Sequence, residues 1–303
     1  MKHFYQFLPI IILCLSCSPQ PIDIPDPNLA EAIRTTLGID SNESILQKDL
    51  DELITLTAPN AGITGLSGLE NARNLISLQL DRNQITSITP LADLVQLTDL
   101  NLRMNRIADL APLVRLTKLT KLEISGDQIK DITPLQDLIQ LTELSISNCQ
   151  ITDISPLSDL KHLTNLSISN SHISDLSPLT ELTQLKVVSL TYGRISDIAP
   201  LKNLTEITGL WLDSNQISDI TPVKSLTQLT DLWLVSNRIS DVSPLKNLTK
   251  LTSLLISYNQ IKDISVVENL MNLSDLGIIG NPIQDKSPVY RLRKKIPNLK
   301  VKM

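Results

Sequence analysis

A period of 22 residues constrains this chain more than any other feature. Leu53, Leu75, Leu97, Leu119, Leu141, Leu163, Leu185, Ile207, Leu229, Leu251 and Leu273 follow one another at that interval without an insertion, which makes eleven copies of one unit. A chain built this way must repeat one supersecondary element and bury its apolar face against its neighbours. Counting the first Leu as position 0, apolar residues recur at positions 3, 5, 10, 13, 16 and 19, as in Leu100, Leu102, Ile107, Leu110, Leu113 and Leu116. Positions 3 and 5 show the two-residue alternation of a strand. The later spacing of three matches the 3.0 residues per turn of a 3₁₀ helix better than the 3.6 of an α-helix. Ser or Thr at position 14 followed by Pro at 15, as in Thr133-Pro134 and Ser177-Pro178, reads as a helix cap followed by a first-turn proline.

Composition supports an aliphatic filling, since aromatic residues make up only 3% of the chain. The 27 basic residues do not exceed the 32 acidic ones, so the excess of positive charge that nucleic-acid binding needs is missing and no nucleic-acid partner is expected. Three histidines and three cysteines, Cys14 and Cys17 among the latter, leave too few ligands for a catalytic metal, and no cofactor is expected.

The core LxxLxLxxN of each unit, seen at Leu75 to Asn83, Leu97 to Asn105, Leu229 to Asn237 and Leu251 to Asn259, resembles that of leucine-rich repeats. The fuller unit LTxLxLxxNxIxDIxPLxxLxx is similar to the repeat of internalins and of the phosphatase-regulatory leucine-rich proteins. The resemblance implies an α/β leucine-rich repeat solenoid with a curved parallel sheet on the concave face, 3₁₀ turns on the convex face, and a helical cap at each end. Asp26-Pro27 opens the N-terminal cap, with Leu29, Ile33 and Leu37 on its apolar side and Gly38 to end it. Tyr290-Arg291 and Ile296 to Val301 resemble the C-terminal helix and last strand of the phosphatase-regulatory type.

The predicted organisation is a signal peptide at 1–16, a lipidated Cys17 with a Pro-rich tether at 17–25, the N-terminal cap at 26–52, repeats at 53–285 and the C-terminal cap at 286–303. The apolar run Phe4 to Leu15 is too short to cross a bilayer of roughly 30 Å. It ends in Cys14-Leu15-Ser16-Cys17, which resembles the lipobox of bacterial lipoproteins. This implies export and a lipid anchor as the sole membrane contact, at the outer membrane or cell surface.

Stacking turns each position into a column. Asn83, Asn105, Asp127, Cys149, Ser171, Gly193, Asn215, Asn237, Asn259 and Asn281 occupy position 8, where asparagine is expected to satisfy buried backbone groups. The interval from Asp127 to Gly193 is then the weak stretch, expected to exchange its amides fastest. Asp109 and the eight Asp that follow it at position 12 read as caps of the nearby turn rather than as a cation ribbon. Cys149 and His172 lie in successive repeats, but no third group orients them, so no catalysis is expected.

Positions 2, 4, 6 and 7 are read as pointing out of the sheet, where packing demands nothing in particular. They run from charged (Arg103, Lys121, Glu123, Glu143) through short and neutral (Ser145, Ser167, Ser189) to aromatic (Tyr192, Trp211, Trp233, Tyr258), with Val235 and Leu255 alongside. Outside the leader the chain has just one other aromatic, Tyr290. Trp and Tyr carry much of the energy at interfaces, so these residues predict a binding patch for a protein partner, a host receptor or an envelope protein, on a monomeric, non-enzymatic chain. Internalins recognise host receptors on this face, which is what the resemblance implies here, although neither a cell-wall sorting motif nor an immunoglobulin-like domain follows the repeats. An envelope scaffolding role is the alternative. Carbohydrate stacking on the indoles is a third reading, for which Asp213 and Asp231 are the available carboxylates.

Overall fold

A computed structural model describes residues 20–126 and 128–303. The signal peptide, Cys17 and Asp127 lie outside the described residues. Each repeat contributes one short strand, so that β1 (Thr55–Thr57), β2 (Ser77–Gln79), β3 (Asp99–Leu102) and β4 (Lys121–Ser125) follow the N-terminal cap. Next come β5 (Glu143–Ser147), β6 (Asn165–Ser169), β7 (Val187–Thr191) and β8 (Gly209–Trp211). The series ends with β9 (Asp231–Trp233), β10 (Ser253–Leu255), β11 (Asp275–Gly277) and β12 (Lys300–Lys302). They form one parallel sheet in chain order. Pairing is in 22-residue register, Leu78 with Leu100 and Trp211 with Trp233, until β12 of the cap, where Leu276 meets Val301.

The register follows from burial. Positions 0, 3, 5, 10, 13, 16 and 19 of the repeat that starts at Leu97 are all buried, none more than 2% exposed. Each such Leu or Ile contributes roughly 1.5–3 kcal/mol relative to exposure, and a slip of one residue would turn the strand's share of them outward. A 3₁₀ turn follows in each repeat, as at Thr133–Leu135 and Ser177–Leu179. The aspartate column caps it, as the sequence reading had it, but the position-14 Ser or Thr is not the cap residue. Position 14 is the first residue of the turn and position 13 its cap residue, while the position-12 aspartate supplies the capping oxygen: Thr133 N donates to Asp131 Oδ1 and Ser177 N to Asp175 Oδ1, each at 2.8 Å. The Thr133 hydroxyl and then its amide hold the Asp131 carboxyl below its ordinary range, and the Ser177 amide and then its hydroxyl do the same for Asp175.

Two further columns stitch neighbouring repeats together. Asn237 accepts the Ile217 amide at 3.0 Å and donates to the carbonyls of Leu212 and Leu234. Asn83, Asn105, Asn215 and Asn259 make the same set. Threonine at position 1, whose role the sequence did not disclose, donates its hydroxyl to the carbonyl one repeat earlier, as from Thr142 to Thr120 and from Thr252 to Thr230 at 3.1 Å.

The N-terminal cap consists of α1 (Pro27–Leu37) and α2 (Gln47–Asp51). Asp26 Oδ1 accepts the Asn28 and Leu29 amides at 3.0 Å, and Gly38 closes α1 at a left-handed φ of 68°. Asp26 Oδ2 reaches into the first repeat for the amides of Thr64 and Gly65. Burial pushes this carboxyl up, but the hydrogen bonds from Thr64, Leu29 and Gly65 outweigh it and hold it low. Residues 21–25, read from sequence as a tether, are extended but docked. Pro21 bridges Leu46, Ile22 donates to the Ile45 carbonyl at 2.8 Å, and Ile22 and Ile24 pack on the core. Gly68 permits this: at φ 96°, a Cβ there would lie 2.6 Å from the Asp23 carbonyl oxygen. At the other end α3 (Ser287–Lys295) and β12 cover the last repeat, with Arg291 donating to Glu268 Oε1 at 2.6 Å.

Candidate binding face

The outer face of the sheet divides into three zones along the solenoid. In β3 to β5, Lys121 lies 3.1 Å from Glu123 and 3.9 Å from Glu143, while Arg103 lies 3.5 Å from Glu123. The Glu123 hydrogen bond keeps the Lys121 ammonium charged to higher pH than usual. A recess lined by Lys121, Glu123 and Glu143 of this zone runs on to Ser145, Ser167 and Val187. Beyond it the indoles rise from β8 and β9.

Trp211 and Trp233 stand in register on neighbouring strands, their ring centroids 5.4 Å apart and their planes tilted by 42°. That geometry lies within the range of favourable aromatic pairs. Both are half-buried. Gly209 lies under the indole, and a Cβ there would make an ordinary contact with Trp211 Cζ2 at 3.6 Å. Trp233 Nε1 donates to Ser253 Oγ at 3.0 Å, whereas the buried Trp211 Nε1 has no hydrogen-bond partner. The place corresponding to Ser253 one repeat earlier holds Asp231, whose Oδ2 is instead held by the Thr230 hydroxyl.

The tyrosines need a correction. Position 7 does not lie on the sheet face: Tyr192 and Tyr258 occupy the turn just beyond the strand, at left-handed φ values of 57° and 58°. The same column holds Asn60, Arg82, Met104, Asn148, Asn170, Ser214 and Ser236, all with positive φ. The two phenols, 60% and 58% exposed, therefore form a rim beside the indoles rather than one sheet with them. Tyr258 is seated over Gly280, where a Cβ would come within 2.5 Å of its ring. Val235 and Leu255 are half-buried beside Trp233, and Ile279 is exposed.

Asp213 follows Trp211 by two residues on the same face and accepts the Val235 amide at 2.7 Å. Burial pushes its carboxyl up despite that bond. Cys149 is buried with its thiol against the Ser147 carbonyl, whereas His172 is exposed. Among the described residues no group of three or more His, Cys, Asp or Glu could hold a metal, and no helix is long and apolar enough to cross a membrane.

The family model for leucine-rich repeats in two copies matches residues 95–137, 139–181, 162–203, 205–247 and 227–266. The crystal structure of an internalin, inlF, from Listeria monocytogenes superposes with a TM-score of 0.87 at 36% identity, over 95% of this chain and 85% of that one. The chain is an internalin-like leucine-rich repeat protein. Internalin C2 from the same species aligns at 37% identity with a TM-score of 0.68, over 73% of this chain and 98% of that one. Internalin H of Listeria monocytogenes shares 41% identity over 61 residues, a stretch that spans 20% of this chain and 11% of that protein. Within the internalin-like solenoid the sheet takes the inner curve, since strands sit about 4.8 Å apart while the turns behind them are bulkier. The Trp211 and Trp233 pair thus lies on the concave face, as its position 4 implied.

Proposed function

We propose that this internalin-like chain is an exported, non-catalytic recognition module that docks a protein partner on the concave face, with Trp211 and Trp233 at the centre and Tyr192, Tyr258, Val235 and Leu255 around them. One observation carries the reading. The chain has two tryptophans, and both stand in register on the face that the repeat does not use for packing. Central, desolvated Trp side chains contribute about 2 kcal/mol or more each to an interface. The rim tyrosines support the reading, because a bulky side chain in a left-handed turn costs stability and both rings stay largely exposed. Lipidation of Cys17 would keep the module at the cell envelope, with residues 21–25 docked on the cap so that the anchor leaves from a defined point.

Residues 20–303 bearing Trp211→Ala with Trp233→Ala should lose at least tenfold in saturable binding to isolated envelope or host-cell surface fractions, with unchanged circular dichroism. Equal binding by the wild type and the double variant would remove the patch. Protease shaving of intact cells separates a host-facing partner from an internal one: a surface module is cut, a periplasmic one is not.

A further inference from the structure

Charge on the concave face is one-sided, and two of its carboxylates without an ion pair, Asp213 and Asp231, flank the indoles. Through β1 to β11, positions 2, 4 and 6 carry two cations, Arg103 and Lys121, and both are already engaged by Glu123 and Glu143. Among the described residues Asp99, Asp213, Asp231 and Asp275 form no ion pair with Lys or Arg. Nothing basic stands on the face from β8 to β10, nor on its rim from Tyr192 to Tyr258 at position 7. Asp213 uses one oxygen for the Val235 amide, and Asp231 one for the Thr230 hydroxyl; the second oxygen of each makes no hydrogen bond.

Their placement is specific. Trp211 pairs with Trp233, and ladder bonds continue past the strands through Leu212 to Trp233 and Ser214 to Val235 at 2.8 Å. Asp231 lies two residues before Trp233 and Asp213 two residues after Trp211, so the carboxylates mark opposite corners of a small grid with the indole pair on the diagonal between them. One strand spacing and four residues of rise put the corners roughly 14 Å apart. An extended segment covers that span in four residues, and its side chains i, i+2 and i+4 point to one side.

Resting on the docking reading, we propose that the partner presents an extended basic segment to this site: Lys or Arg at i and i+4, one against Asp213 and one against Asp231, with an apolar residue at i+2 over the indoles. Indole faces attract cations as well as apolar groups, which suits both kinds of side chain. The raised Asp213 carboxyl fits a charge that burial has left without a counterion and that a docked cation would supply.

The chain offers its own reporter, because both tryptophans belong to this site and emission excited selectively from indole comes from nowhere else. Acetylated, amidated Arg-Ser-Leu-Ser-Arg should change the emission saturably by millimolar concentration, and high salt should weaken the effect. Glu-Ser-Leu-Ser-Glu should not change it. Asp213→Asn with Asp231→Asn, which keeps the acceptor for the Val235 amide, should weaken Arg-peptide binding about tenfold. Asp81→Asn with Asp99→Asn, of equal charge change on the same face, should leave it within twofold. A silent Arg peptide, equal responses to both peptides, or unchanged affinity in the first Asn variant would overturn the proposal. The docking reading fails separately. If surface-fraction binding is lost with the Trp→Ala pair but kept with the Asp213→Asn and Asp231→Asn pair, the patch stands and its basic ligand does not.

Discussion

Side chains on the inner curve are not held there by packing, so their cost to the free protein can be measured one at a time. Asp213 is the clearest case. Its carboxyl is raised by burial, so between its unfolded and folded pKa the native state binds more proton than the unfolded state does. Stability therefore falls as pH rises through that window, and the penalty is complete above the folded value. Asp213→Asn keeps the hydrogen bond to the Val235 amide without the charge. Its thermal midpoint, measured against wild type, should gain as pH rises from below the carboxylate range to neutrality. A difference that is flat or shrinks would mean that the carboxylate is better solvated than its surroundings imply. Tyr192 and Tyr258 bear a cost of another kind, in the backbone. Asn is more at ease than Tyr in the left-handed region, and Asn60, Asn148 and Asn170 hold the same position in other repeats.

At the level of the repeat, the asparagine ladder distinguishes strong rungs from weak ones. Asn237→Ala would leave the Ile217 amide unpaired in the core, at about 1–3 kcal/mol, while the Leu212 and Leu234 carbonyls keep the side-chain amides of Asn215 and Asn259. Ser171→Ala, at a buried position where no such set exists, should cost under about 1 kcal/mol. The missing asparagines do not loosen the whole middle, however, because β4 to β7 are five residues long where most others are three, and the added pairs, Ser125 with Ser147 and Ser147 with Ser169, lengthen the ladder. Fast hydrogen exchange should thus be confined to the turn amides of Ile151 and Ile173, which no ladder side chain receives, while Ile195, Ile217 and Ile239 stay protected by Asn215, Asn237 and Asn259. Fast strand amides in β5 and β6 would contradict this. The repeat itself was legible in the sequence because each buried position is tested eleven times by the same geometry. Trp211 and Trp233 were legible for the same reason, position 4 alternating with two buried leucines. Position 7 was not, since Arg, Met, Tyr, Ser and Asn share it and nothing in that chemistry announces a left-handed backbone. Nor was the docking of residues 21–25, whose prolines suggest a tether and whose Ile22 and Ile24 were the sole sign of a contact.

In the whole molecule, contacts join each rung only to its neighbours, so stability is close to a sum of rung and interface terms rather than one shared core. The two tryptophans sit on β8 and β9, which makes their fluorescence a local probe, whereas circular dichroism averages over every rung. Leu100→Ala on β3 removes a fully buried side chain, at about 2–5 kcal/mol. In a globular domain both probes would shift together. Here four rungs, β4 to β7, lie between Leu100 and Trp211, and their repeats include Cys149, Ser171 and Gly193, where the asparagine ladder is interrupted. Urea unfolding followed by circular dichroism should begin earlier and broaden in the variant, while the fluorescence midpoint moves by a clearly smaller amount. Coincident shifts would mean that the longer β4 to β7 transmit the loss in full and that the solenoid melts as one unit. If the probes separate, damage to the charged end of the concave face leaves the indole site assembled, and recognition can persist on the C-terminal half alone.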